Sequence, residues 1–115
     1  MTIRKLALAT VLITGFVAVP AHARVARCVI DSEGASYRGA CQYNVARGGT
    51  FTVTPLRSRT FGGGPMSITV YVVRPGVAEV RGLTPEGINS RWGRALRSRR
   101  DGACWQGEDF SVCVY

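Results

Sequence analysis

Turn-forming residues interrupt this chain about every ten residues, a spacing that leaves room for short strands and little else. The breaks fall at Ser32-Glu33-Gly34, Gly48-Gly49, Gly62 through Pro65, Pro75-Gly76, Thr84 through Gly87, Asp101-Gly102 and Gly107-Glu108-Asp109. Asp-Gly and Pro-Gly dipeptides are hairpin and turn signals, because glycine reaches positive φ without steric cost. The segments between the breaks alternate as half-buried strands do. In TFTVTP, Phe51 and Val53 alternate with Thr50, Thr52 and Thr54. Met66 to Val73 (MSITVYVV) is rich in β-branched residues and is the strongest strand in the chain. CVID, SYRGACQYNV, VAEVRG, ACWQ and FSVCVY supply the others, and LRSRTFGGGP reads as a loop.

One segment is ambiguous. In INSRWGRALRS, Ile88, Trp92, Ala95 and Leu96 lie at helical spacing, but Gly93 interrupts them. The segment reads as a strand with a glycine irregularity, with a short helix over residues 88–98 as the alternative. The sum is an all-β fold: a small antiparallel β-barrel or sandwich of seven to eight short strands, mostly sequential hairpins. The expected core is Val29, Phe51, Val53, Ile68, Val70, Val72, Val80, Phe110, Val112 and Val114.

The N-terminus reads as a leader. Arg4 and Lys5 precede an apolar run, Leu6 to Val19, followed by Pro20 and the small-x-small triplet Ala21-His22-Ala23. This is the order of a cleavable secretory signal peptide over residues 1–23. The run is too short for a helix across a bilayer core, which takes about 20 residues. The expected mature chain, residues 24–115, is a single domain with no transmembrane span, periplasmic or secreted. Four cysteines remain, an even number in an exported chain, which points to two disulfides. Of the three pairings that four cysteines allow, Cys28–Cys41 and Cys104–Cys113 are favoured, since each pair flanks turn residues and closes a hairpin.

The expected cleavage removes Arg4, Lys5 and His22. It leaves thirteen arginines against seven acidic residues, a net charge of +6, with neither histidine nor lysine. That absence excludes Ser-His-Asp, Cys-His and Ser-Lys nucleophilic catalysis, and metal sites built on histidine. With the cysteines oxidised no thiolate remains. The seven carboxylates, Asp31, Glu33, Glu79, Glu86, Asp101, Glu108 and Asp109, are what acid–base chemistry could use, and most sit in turns. The chain is therefore read as a non-enzyme with no cofactor and no metal.

Binding residues are concentrated near the C-terminus. Arg91, Trp92, Arg94, Arg97 and Trp105, with the acidic turn Glu108-Asp109, form the candidate binding surface. Arginine beside tryptophan is a frequent hot-spot composition, and the two indoles are expected to approach each other. The alternative is that both tryptophans belong to the core. The ligand expected of a basic exported domain is an anionic envelope component, a glycan or a protein partner, with nucleic acid disfavoured by the compartment.

The layout resembles the periplasmic lysozyme inhibitors of the membrane-bound and C-type kind. These are signal-peptide-bearing β-barrels of similar size that act through a Ser-Gly-x-x-Tyr segment and a Trp-x-Lys-Gly segment. Trp105-Gln106-Gly107 is similar to the second segment without its lysine. Ser90-Arg91-Trp92-Gly93 is a loose analogue of the first without its tyrosine. The resemblance implies inhibition of a lysozyme-like cell-wall hydrolase, the alternative to a general envelope-binding domain.

Overall fold

The computed structural model describes residues 23–115. The expected leader lies outside the described residues except for Ala23, the first residue of β1. Eight antiparallel strands form a closed barrel in sequential order, β1 (Ala23–Ser32), β2 (Ala35–Val45), β3 (Phe51–Pro55), β4 (Ser67–Arg74), β5 (Val77–Leu83), β6 (Asn89–Arg97), β7 (Cys104–Gln106) and β8 (Phe110–Val114). β8 pairs back onto β1, from Cys28 opposite Val114 to Ser32 opposite Phe110, which closes the barrel. Among the described residues the only helical element is one 3-10 turn, Arg47–Gly49, between β2 and β3.

An eight-stranded barrel is just narrow enough for side chains to fill it. Here Ile30, Val53, Ile68, Val70, Val80 and Val112 fill it and are fully buried, with Phe51, Phe110 and Trp105 nearly so. Fully burying each aliphatic contributes roughly 1.5–3 kcal/mol. The outward positions carry charge: Arg27, Asp31, Arg38, Glu79, Arg81, Arg91 and Arg94. Apolar inside and charged outside is the reverse of a membrane-spanning barrel.

The phase expected for β1 is wrong by one residue. Val29 faces outward and is half-exposed, while Ala26, Cys28 and Ile30 face in. The sequence RCVID offers an apolar residue in either phase, and the disulfide decides between them. Cys28 bonds Cys41, and both are fully buried in the barrel interior. In register Cys28 faces Gly39 and Cys41 faces Ala26, so the bond crosses the pair diagonally. Val72 and Val114 pack against the core but are only half-buried. Both sit toward the open end where β4 and β8 finish.

The second disulfide, Cys104–Cys113, joins residues directly opposite each other on β7 and β8. Trp105 and Val112, the next pair, face in, so this bond lies on the outer surface. Tyr115 folds over it, with its hydroxyl 3.6 Å from the Cys104 sulfur. That hydroxyl donates a 2.5 Å hydrogen bond to Asp101. The bond, with a second from the Ala103 N–H, holds the Asp101 carboxyl below its ordinary value of 3.8. The same bond raises Tyr115 above its ordinary 10.0.

The segment at 88–98 is strand, and its glycine irregularity is a β-bulge. Val80 pairs with Gly93 and Arg81 with Arg91, so Trp92 is the extra residue. Gly93 has φ +121°, a conformation that side chains rarely adopt. Unbroken pairing from Gly93 would set Trp92 opposite Arg81 on the outer wall; the bulge lets it turn inward against Phe110, edge to face at 5.5 Å. Gly82 makes the room, since a Cβ there would lie 2.9 Å from the indole nitrogen.

Candidate functional site

In a sequential meander the odd-numbered connections all lie at one end of the barrel and the even-numbered ones at the other. The ends of this barrel differ sharply in charge. At the first end, the β1–β2, β5–β6 and β7–β8 turns carry Glu33, Glu86, Glu108 and Asp109, with Asp31 just below them. Five of the seven carboxylates thus gather at one end. At the opposite end stand Arg24, Arg47, Arg74, Arg97, Arg99 and Arg100. The one acid there, Asp101, is engaged by Tyr115.

The acidic end holds a cavity of about 460 Å³, within the range of small-molecule sites. Trp92 and Phe110 form its aromatic wall, and Pro65 and Pro85 its aliphatic one. Glu33, Glu86 and Asp109 line the opening. All three are exposed, and among the described residues none forms an ion pair. The floor is closed by the long β3–β4 connection, residues 56–66. Its Phe61 is fully buried and meets Tyr37 edge-on at 4.9 Å. The connection is held by hydrogen bonds from Phe61 N to Pro65 O and from Gly64 N to Phe61 O. It also brings the exposed Arg57 and Arg59 to this half of the barrel, but neither lines the cavity.

The opposite mouth has an aromatic floor of Tyr43, Phe51 and Trp105, lining adjoining cavities of about 340 and 140 Å³. Two arginines lie over it: Arg24 is 4.8 Å from the centre of the Tyr43 ring, and Arg97 is 5.4 Å from that of Trp105. Arg97 also donates from Nε to the Gly102 carbonyl at 2.7 Å.

The residues expected to form one Arg/Trp surface are therefore divided. Trp92, Arg91 and Asp109 line the acidic cavity. Glu108 sits beside it, in a shallower depression shared with Asp31, Glu33 and Asp109. Arg97 and Trp105 belong to the other end, where Arg97 pairs with Trp105 across β6 and β7. Trp105 is only 4% exposed and is a core residue. Arg94 lies on the outer wall opposite Glu79. The indoles do not approach each other. Trp92 and Arg97 are five residue steps apart along β6, roughly 16 Å at the usual strand rise. Arg91 is tied to Glu79 through both Nε and Nη2 at 3.0 Å. The pair is exposed and weak, but it turns the guanidinium along the wall.

Sequence reasoning missed Glu33, Glu86 and Phe110 as cavity residues. The signal was present in the parity of the turns, which places the first, fifth and seventh connections together once the strands are known to run in sequence. Among the described residues no group of three or more Asp, Glu, Cys or His side chains is placed to hold a metal ion. No helix among them is long and apolar enough to cross a membrane. The two disulfides are the mark of an oxidising compartment. Comparison of the chain with protein families, with characterised proteins and with solved structures finds no match in any of the three.

Proposed function

We propose that this chain is a non-enzymatic, exported binding domain of the bacterial cell envelope that takes a glycan-type ligand in the cavity at its acidic end. The observation that carries the reading is the pairing of an aromatic wall, Trp92 and Phe110, with three carboxylates, Glu33, Glu86 and Asp109, that form no ion pair among the described residues. A sugar ring stacks its C–H face on an aromatic and donates its hydroxyls to charged acceptors, and charged acceptors make the stronger hydrogen bonds. An anionic ligand fits this cavity poorly, because its polar rim is itself negative. Export is supported by the leader pattern of residues 1–23 and by the disulfides. A binding role is supported by the lack of histidine, lysine and free thiol in residues 23–115.

The test is titration of the oxidised protein with N-acetylated and de-N-acetylated amino-sugar oligomers, followed by tryptophan fluorescence. Both should bind, and the variant Glu33→Gln/Glu86→Gln/Asp109→Asn should lose about two- to tenfold in affinity per residue. Because the substituted residues are exposed, the melting temperature should stay put. Binding of neither oligomer at millimolar concentration would remove the proposal.

A second reading, inhibition of a lysozyme-like cell-wall hydrolase, is favoured by one observation. The five carboxylates at one end give this net-basic chain a local acidic face for a cationic enzyme. Lytic assays with cationic lysozymes of different types, at low and high salt, decide it; undiminished lysis at micromolar protein would eliminate it.

A further inference from the structure

The arginine-rich end has a composition that the glycan reading leaves unused. Arg24, Arg47, Arg74, Arg99 and Arg100 come from four separate places in the chain: the start of β1, the 3-10 turn, the end of β4 and the β6–β7 connection. All are exposed, and among the described residues none is ion-paired to a carboxylate. Interleaved with them are three exposed aliphatic side chains. Val25, beside Arg24, is 64% exposed, Val73, beside Arg74, is 56%, and Leu96, beside Arg97, is 52%. Val77 of β5 pairs with Arg74 on one side and Leu96 on the other, so Val73 on β4 and Leu96 on β6 flank β5 at one rim.

We infer that this end docks on an anionic lipid surface. Arginines reach phosphate headgroups with forked hydrogen bonds, and juxtaposed aliphatics enter the interfacial region between them. Solvated arginines alone would suit any polyanion. The aliphatics among them select a bilayer, because only a bilayer offers apolar volume beneath its charges. The barrel's polarity then sets orientation. The five carboxylates at the far end are repelled by the same surface, so the domain stands upright with the Trp92 cavity facing away from the lipid. The inference rests on the opposite end from the proposed glycan site and does not depend on it.

The test is co-sedimentation of the oxidised protein with phosphatidylglycerol-containing and pure phosphatidylcholine vesicles over a salt series. Binding should require the anionic lipid and weaken with salt. Arg47→Gln/Arg74→Gln/Arg99→Gln should lower the partition coefficient on the order of 100-fold. Arg38→Gln/Arg57→Gln/Arg59→Gln removes the same charge from exposed positions elsewhere and should lower it far less. Val73→Ser/Leu96→Ser should weaken binding to vesicles while leaving retention on heparin unchanged. Glu33→Gln/Glu86→Gln/Asp109→Asn should bind vesicles at least as well as the parent, even if it has lost its sugar ligand. Equal losses from the two arginine triples, or no preference for anionic lipid, would reduce the effect to net charge and overturn the inference. No effect of the aliphatic substitutions would overturn it in favour of a soluble polyanion.

Discussion

Phe61 carries a heavier share of the fold than its position in a glycine-rich connection suggests, and replacing it with alanine tests how the acidic end is built. The ring is fully buried, packs edge-on against Tyr37 and belongs to the same cluster as the strand valines. Truncating a buried phenylalanine to alanine costs about 3–5 kcal/mol, because the transfer term and the cavity term add. In a domain of this size each kcal/mol moves the melting temperature by about 4–8 °C, so the fall should be roughly 12–40 °C. Urea unfolding of the oxidised protein, followed by tryptophan fluorescence, gives the free energy directly. Leu56→Ala, in the same connection but 45% exposed, is the internal comparison and should stay within about 0.5 kcal/mol. Gly63, Gly64 and Pro65 line the cavity just beyond Phe61, so ligand affinity should fall with stability in Phe61→Ala and in Leu56→Ala should not. If Phe61→Ala costs no more than Leu56→Ala, the connection is a surface loop and the acidic end is not closed by it.

Three further outcomes are expected. Gly93→Ala places a side chain at φ +121° and should cost about 1–3 kcal/mol; a thermal melt reads the loss, and a shift in tryptophan emission should report that Trp92 has moved with the bulge. The two disulfides close loops of similar length, with separations of 13 and 9, so chain entropy alone gives each about 3 kcal/mol. Cys28→Ala/Cys41→Ala also empties volume inside the barrel and should cost more than Cys104→Ala/Cys113→Ala on the outer wall; equal costs by urea unfolding would contradict the interior placement. Tyr115→Phe removes the hydrogen bond to Asp101. Because Asp101 is depressed in the folded state, its contribution is present above 3.8 and fades as pH falls through its lowered value. Because Tyr115 is raised, its contribution is present below 10.0 and fades at higher pH. The melting-temperature difference between parent and variant should therefore be flat across neutral pH and shrink at both extremes.

The barrel was largely legible because its evidence is local. Turn dipeptides, alternation in TFTVTP and FSVCVY, and cysteines flanking turns each act within a dozen residues, and the pairing Cys28–Cys41 and Cys104–Cys113 follows from them. Even the Gly93 irregularity was visible, since a glycine inside a strand pattern marks a bulge. The inward phase of β1 was not, because Val29 and its neighbours Cys28 and Ile30 are all apolar and only the buried disulfide separates them. Phe61 was also hidden: a lone aromatic among glycines carries no periodicity, and only the shape of the barrel end shows what it fills.

The expected Arg/Trp surface is divided between the two ends for a reason that applies to meander barrels in general. Trp92, Arg97 and Trp105 are close in sequence, but closeness along the chain is not closeness in space. A strand as long as β6 carries the chain from one end of the barrel to the other, so the turns on either side of it never meet. What does meet is every second turn. Grouped in that way, the sequence divides its charge with few exceptions. Glu33, Glu86, Glu108 and Asp109 fall on odd turns, and Arg47, Arg99 and Arg100 on even ones, with Arg74 at the edge of another. Asp101 on the β6–β7 connection, and Arg57 and Arg59 on the β3–β4 one, are the departures; the two arginines do not line the cavity. The net charge of the chain thus conceals two ends of opposite sign, and a ligand's charge selects the end it meets. On the two proposals above, an anion would be steered to the Arg-rich mouth and a hydroxyl-bearing ring to the Trp92 cavity, so the two should bind without competing. Simultaneous titration of the oxidised protein with an amino-sugar oligomer and anionic vesicles reads this directly. Mutually exclusive binding would mean that one end serves both.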